Sequence, residues 1–129
     1  MTRENRVVKG LNLIDHKLPL GKLRIRIKNN TEFNELIQQD KPILIDFYAD
    51  WCGPCQTLLP IINDLADEHD GEIEIVKVNV DANQELVQKF RVRNIPALFF
   101  IKEGKIVENI QGVQPKSVLQ SKLEALKAA

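Results

Sequence analysis

The hydrophobic period of the chain changes once, sharply, between Pro42 and Pro60, in PILIDFYADWCGPCQTLLP. Pro42–Tyr48 is a near-continuous apolar run of strand length, as expected of a strand covered on both faces. From Gly53 to about His69 the apolar residues Leu58, Leu59, Ile62, Leu65 and Ala66 recur at helical spacing. The corner between the two periods holds Cys52 and Cys55, the only cysteines of the chain. Pro60 lies inside the helical pattern and should kink it, because it removes a backbone donor and crowds the preceding turn.

The rest of the chain continues the alternation. KLRIRIK (Lys22–Lys28) alternates Leu23, Ile25 and Ile27 with basic residues and reads as a half-buried strand. TEFNELIQQ follows as a helix, with Thr31 as N-cap and Phe33, Leu36 and Ile37 on one face. IEIVKVNV (Ile73–Val80) is the next strand. Asp81 with Gln84 three residues later resembles a capping box that opens a short helix through Phe90. ALFFIK and KIVENIQ form a hairpin about Glu103–Gly104, so these two strands are antiparallel. QPKSVLQSKLEALKA closes the chain as a helix with Pro115 at its first position and Leu119, Leu123 and Leu126 facing inward. The order β-α-β-α-β-α-β-β-α implies an α/β fold, one mixed sheet flanked by helices on both faces.

With 129 residues, 43% hydrophobic and 28% charged, the chain suits one globular domain. No apolar run reaches the length of a membrane span, and the N-terminus lacks the uninterrupted apolar stretch of a secretory signal. Net charge is zero but unevenly placed. Residues 1–28 hold eight Lys/Arg against Glu4 and Asp15, so the body is left with the complementary acidic excess. An acidic body behind a basic leader is not a nucleic-acid face, where basic residues line one coherent surface.

Three readings compete for the cysteine pair. A structural disulfide spanning two residues closes a tiny loop and so stabilises at the low end of the range. A zinc site has the right inventory in Cys52, Cys55, His16 and His69, but not the paired His spacing, so no metal is expected. The redox reading accounts for each residue. At the helix start, unpaired N–H groups and the positive end of the dipole favour a Cys52 thiolate, the attacking species in disulfide exchange. Cys55 lies one turn further on the same side and can reach back. Gly53 lets a substrate backbone approach, and Pro54 stiffens the turn without losing a needed hydrogen bond.

FYADWCGPC, with Asp46 ahead of it, Lys77 in the following strand and NIPALFFIKEGK later, resembles the thioredoxin family from about Leu23 to Ala129. The resemblance implies a thioredoxin fold over residues 22–129, with residues 1–21 as a basic N-terminal extension. It implies that Trp51-Cys52-Gly53-Pro54-Cys55 is the active site of a protein dithiol–disulfide oxidoreductase needing no cofactor of its own. It further implies that Ile95–Pro96 is cis, and that the Ile95 backbone, with Trp51, Pro96 and Gly112 around it, pairs with an extended substrate strand. Protein disulfides are the expected substrates and a flavin- and NADPH-dependent thioredoxin reductase the expected electron donor. A cytoplasmic monomer without nucleic-acid or membrane partners fits these expectations.

Asp46 interrupts an otherwise buried strand. From pattern alone it is either an edge carboxylate reaching solvent or a buried one of raised pKa; the resemblance implies the second, with Asp46 as proton acceptor for Cys55. Lys77 reads by alternation as an exposed strand lysine, and the resemblance places it beside Asp46 as its tuner. His16 and His69 read as solvated. Tyr48, Gln56 and Ala97 stand where the family often has Trp, Lys and Thr, which bears on partner preference and redox poise. Two rivals remain: an oxidase or isomerase, whose dipeptide between the cysteines usually differs from Gly-Pro, and a binding module in which the thiols are incidental.

Overall fold

A computed structural model describes residues 26–27 and 29–129. The leader, His16 and most of the expected first strand lie outside the described residues. Strand β1 is Arg26–Ile27, followed by α1 (Asn30–Leu36), β2 (Ile43–Tyr48), α2 (Gly53–Glu68), β3 (Glu74–Asn79), α3 (Gln84–Phe90), β4 (Ala97–Lys102), β5 (Lys105–Gln111) and α4 (Lys116–Ala128). Over the described residues the order of strands and α-helices is the expected one.

The strands form one mixed sheet in the order β1-β3-β2-β4-β5. β1 and β2 both pair with β3 in parallel, whereas β4 is antiparallel to β2 and to β5. β2 is therefore central, and all six of its residues are buried. This is why Ile43–Tyr48 reads as an unbroken apolar run.

Strand alternation divides the core into two layers. Ile43, Ile45 and Phe47 of β2 point to the face covered by α1 and α3, where Phe33, Phe47, Phe90 and Phe99 meet with ring centroids 4.9–5.5 Å apart. Such edge-on and tilted contacts suit the ring quadrupoles. Leu44 points to the other face, where Leu58, Ile62 and Leu65 of α2 and Leu119, Leu123 and Leu126 of α4 close over it. Helices alternate between faces along the chain, so both faces of the sheet are covered.

Several local expectations are corrected. Asn29, not Thr31, caps α1: its backbone is extended, and its side-chain oxygen accepts from the Glu32 N–H at 2.9 Å. The helix thus begins two residues earlier, at Asn30, and the Asx side chain reaches the third orphan donor. The Asp81–Gln84 capping box does not form. Val80–Ala82 make a 3₁₀ turn, α3 starts after Asn83, and no side chain caps it. Pro115 is the N-cap of α4 and not its first helical residue. Pro60 lies inside α2, as expected, and the helix continues past it to Glu68. Both Pro60 and Gln56, whose carbonyl loses its donor, are exposed, so water can satisfy that carbonyl.

The β4–β5 turn has positive φ at Glu103 (54°) and Gly104 (77°). That geometry matches the right-handed strand twist of a tight hairpin and favours glycine at the second position. His69 is also corrected: it is 2% exposed, caps the C-terminus of α2, and its Nε2 lies 2.8 Å from Gln120 Oε1 on α4. The packing of α4 against α2 covers it, a contact 51 residues away in sequence.

Candidate active site

The site is built where the central strand ends. β2 stops at Tyr48, Ala49–Trp51 turn the chain, and α2 begins at Gly53. Cys52 is the N-cap of α2, with extended backbone, and its N–H donates to the Ala49 carbonyl at 3.2 Å. Cys52 and Cys55 are joined as a disulfide. Cys52 thus stands at the helix start, one residue ahead of the first turn in which the sequence placed it. Its Sγ accepts from the Cys55 N–H at 3.2 Å, so one of the orphan amides of the helix start already points at this sulfur.

The pair is held against Tyr48, Ala49, Val80 and Ile95. The Ile95–Pro96 bond is cis, as expected, and the Ile95 carbonyl oxygen is 3.9 Å from Cys52 Sγ. Pro96 leads into β4, and its carbonyl accepts from the Gly112 N–H at 2.8 Å. Gly112 has φ +88°, a conformation that suits glycine, and this anchors the end of β5 to the proline loop. The disulfide, Ile95, Pro96 and Gly112 thus form one contiguous group drawn from three loops. Gly53 is exposed with open space beside it.

Trp51 is the most exposed large hydrophobic residue described, at 71%. Its Nε1–H donates to Asp81 Oδ2 at 2.8 Å. Asp81 is held in turn by its own N–H, which donates to the Asn79 side chain at 2.8 Å. Sequence reasoning missed Asp81 as part of this site. Its local signal resembled a helix cap, and its actual partner lies 30 residues away.

Asp46 and Lys77 are opposite one another on the adjacent strands β2 and β3. By alternation both point to the α2 face. Asp46 is 1% exposed, which removes the solvent-edge reading, and Lys77 is buried rather than exposed. Loss of hydration raises the Asp46 carboxyl pKa to about 7, opposed in part by the Lys77 charge. Lys77 also lies over the Tyr48 ring, 5.4 Å from its centroid, an arrangement that favours the cation.

His69 and the cysteines sit at opposite ends of α2, a helix roughly 24 Å long by its rise per residue, so they cannot share a metal. Among the described residues no group of three or more His, Cys, Asp or Glu is arranged to hold one.

The thioredoxin family model matches residues 24–125. Thioredoxin 1 of Nostoc sp. is 36% identical over 99 residues, covering 77% of this chain and 92% of the relative. Haemophilus influenzae thioredoxin is 45% identical over 92 residues, covering 70% and 86%.

The chain belongs to the thioredoxin family.

Solved thioredoxins share the architecture. That of Fasciola hepatica superposes with a TM-score of 0.73 at 33% identity, covering 78% of this chain and 97% of its own. That of Malassezia sympodialis gives 0.74 at 28%, covering 80% and 90%. This thioredoxin-family chain is a protein disulfide oxidoreductase with the Cys52–Cys55 pair as its redox couple. Among its described residues no helix is long and apolar enough to cross a membrane.

Proposed function

We propose that the chain reduces disulfides in other proteins by an exchange in which Cys52 attacks, Cys55 resolves and Asp46 moves the proton. The observation that carries this reading is the Cys52–Cys55 disulfide at the mouth of α2, with the Cys55 amide on the Cys52 sulfur. In the reduced chain that amide and the helix dipole favour a Cys52 thiolate. The thiolate attacks one sulfur of the substrate disulfide. A bond forms between them, the substrate S–S bond breaks, and the other substrate cysteine leaves as a thiolate. Cys55 then gives its proton to the Asp46 carboxylate and attacks the Cys52 sulfur. The Cys52–Cys55 bond forms, and the second substrate cysteine leaves. Two electrons have passed to the substrate, all of them carried by sulfur, so the exchange requires no metal or organic cofactor.

A carboxyl with a pKa of about 7 is part ionised at neutral pH, which lets Asp46 accept that proton and later release it. Lys77 holds the Asp46 pKa down within this useful range. Trp51, Gly53 and Pro54 shape the approach to Cys52. Ile95, Pro96 and Gly112 offer main chain to an extended substrate, a mode that accepts many sequences. Residues 22–129 are the catalytic unit and residues 1–21 an accessory extension. A flavin- and NADPH-dependent thioredoxin reductase returns the two electrons, and the protein works as a cytoplasmic monomer.

Trapping in lysate tests the division of labour. Cys55→Ser keeps the attacker and loses the resolver, so mixed disulfides through Cys52 accumulate. Cys52→Ser traps few. Equal trapping by the two variants overturns the assignment.

A further inference from the structure

Asn94 immediately precedes Ile95, and Gln111 is the last residue of β5, paired in register with Ala97. Their side chains meet across the proline loop, with Asn94 Nδ2 donating to Gln111 Oε1 at 3.3 Å. The backbone bond from Gly112 N–H to the Pro96 carbonyl joins the same two segments. Both amides are exposed, so their bond adds little to the fold. Its effect is orientation. With Gln111 Oε1 engaged, Gln111 turns its NH₂ outward, and Asn94 keeps its Oδ1. One donor and one acceptor are thus held side by side, next to the main chain at which a substrate strand would pair. Of the neighbouring side chains, Trp51 is exposed and Ile95 half-buried, and both present apolar surface.

We propose that the Asn94–Gln111 pair forms a polar wall of the substrate groove and selects a substrate residue bearing a hydroxyl or carboxamide beside the attacked cysteine. This rests on the reading that Ile95 pairs with an extended substrate. In such a strand, successive side chains point to opposite sides, so the residues flanking the attacked cysteine are directed away from the side the cysteine faces. A hydroxyl or amide can accept from Gln111 and donate to Asn94 at once. An isosteric apolar side chain seated there covers both amides without offering a partner, and that disfavours it.

The test uses the full chain and two disulfide-linked peptides. They differ only in carrying Thr or Val, close in shape, at both positions flanking the cysteine. The wild-type chain should reduce the Thr peptide with a kcat/KM about three- to ten-fold above that for the Val peptide, the span expected of one or two net hydrogen bonds. Asn94→Ala and Gln111→Ala should each bring that ratio close to one. Because the ratio is internal to each variant, a general loss of stability does not move it. A wild-type ratio of one, or a preference that survives both substitutions, overturns the proposal. Reduction of a small aromatic disulfide by the wild-type chain is measured alongside. Its failure would count against the reductase reading itself, whereas success there with a ratio of one would reject the polar wall alone.

Discussion

Asp46 and Lys77 face each other in register on adjacent parallel strands, both buried beneath α2. Two opposite charges withdrawn from water in this way are costly unless each compensates the other. Here the compensation is incomplete, since dehydration outweighs the lysine and the carboxyl pKa rises to about 7. A carboxyl shifted this far weakens the fold that holds it once it ionises, and on the proposed mechanism it is the proton acceptor for Cys55.

Asp46→Asn makes both consequences measurable. An ordinary aspartate in the unfolded chain ionises near pH 3.9, and the folded one near 7. Between these values the folded state binds the extra proton, so stability contributed by the neutral carboxyl is full below pH 4 and lost as pH rises through 7. At pH 8 the variant should therefore be more stable than wild type by several kcal/mol at most, roughly 4 by linkage, and the gap should close toward pH 4. Denaturant unfolding across pH checks this. Disulfide turnover near pH 7 should meanwhile fall by on the order of 100-fold, the low end of what a general base contributes. Unchanged turnover with a less stable fold would make Asp46 purely structural.

Lys77→Met removes the charge that opposes the shift. The Asp46 carboxyl should then titrate at higher pH than in wild type. The acidic limb of the pH–rate profile should move the same way, because the base is protonated over a wider range. Direct titration of the Asp46 carboxyl by NMR checks the direction, and a downward move would show that the lysine does not act through this carboxylate.

Asp81→Ala frees the Trp51 indole. The chain has a single tryptophan, so time-resolved fluorescence anisotropy reports on this side chain alone. A faster local component should appear, with about 1 kcal/mol or less of global stability lost. Protein disulfide reduction should slow by a few-fold. If the anisotropy decay is unchanged, the 2.8 Å bond to Asp81 does not restrain the indole in solution.

Deleting residues 1–20 should leave reduction of a protein disulfide within about three-fold of the full chain. Every group given a part in the exchange lies at Asp46 or beyond. Parallel assays of the two proteins, with a melting curve for each, decide it. A truncated protein that melts cooperatively and has lost its activity would place the leader in the active site.

Much of this molecule is legible in the sequence because the signals are local. The continuous apolar run of β2, the helical spacing after Gly53 and the Glu103–Gly104 turn each report a backbone period or a φ requirement within a few residues. The two cysteines at the strand–helix corner fix the redox couple for the same reason: the N-cap geometry that aims the Cys55 amide at Cys52 is set by four consecutive residues. What the sequence leaves open depends on which surfaces meet. Asp46 and Lys77 are buried because β2 and β3 lie inside the strand order under α2; the apolar run of β2 records its coverage, but nothing in either strand records that these two polar residues pair across it. Asp81 has the look of a helix cap yet bonds Trp51, His69 looks solvated until α4 closes over it, and Asn94 meets Gln111 only after the hairpin folds back. These choices fell to tertiary structure, because a polar side chain takes whichever partner the packed chain brings within about 3 Å once water is excluded.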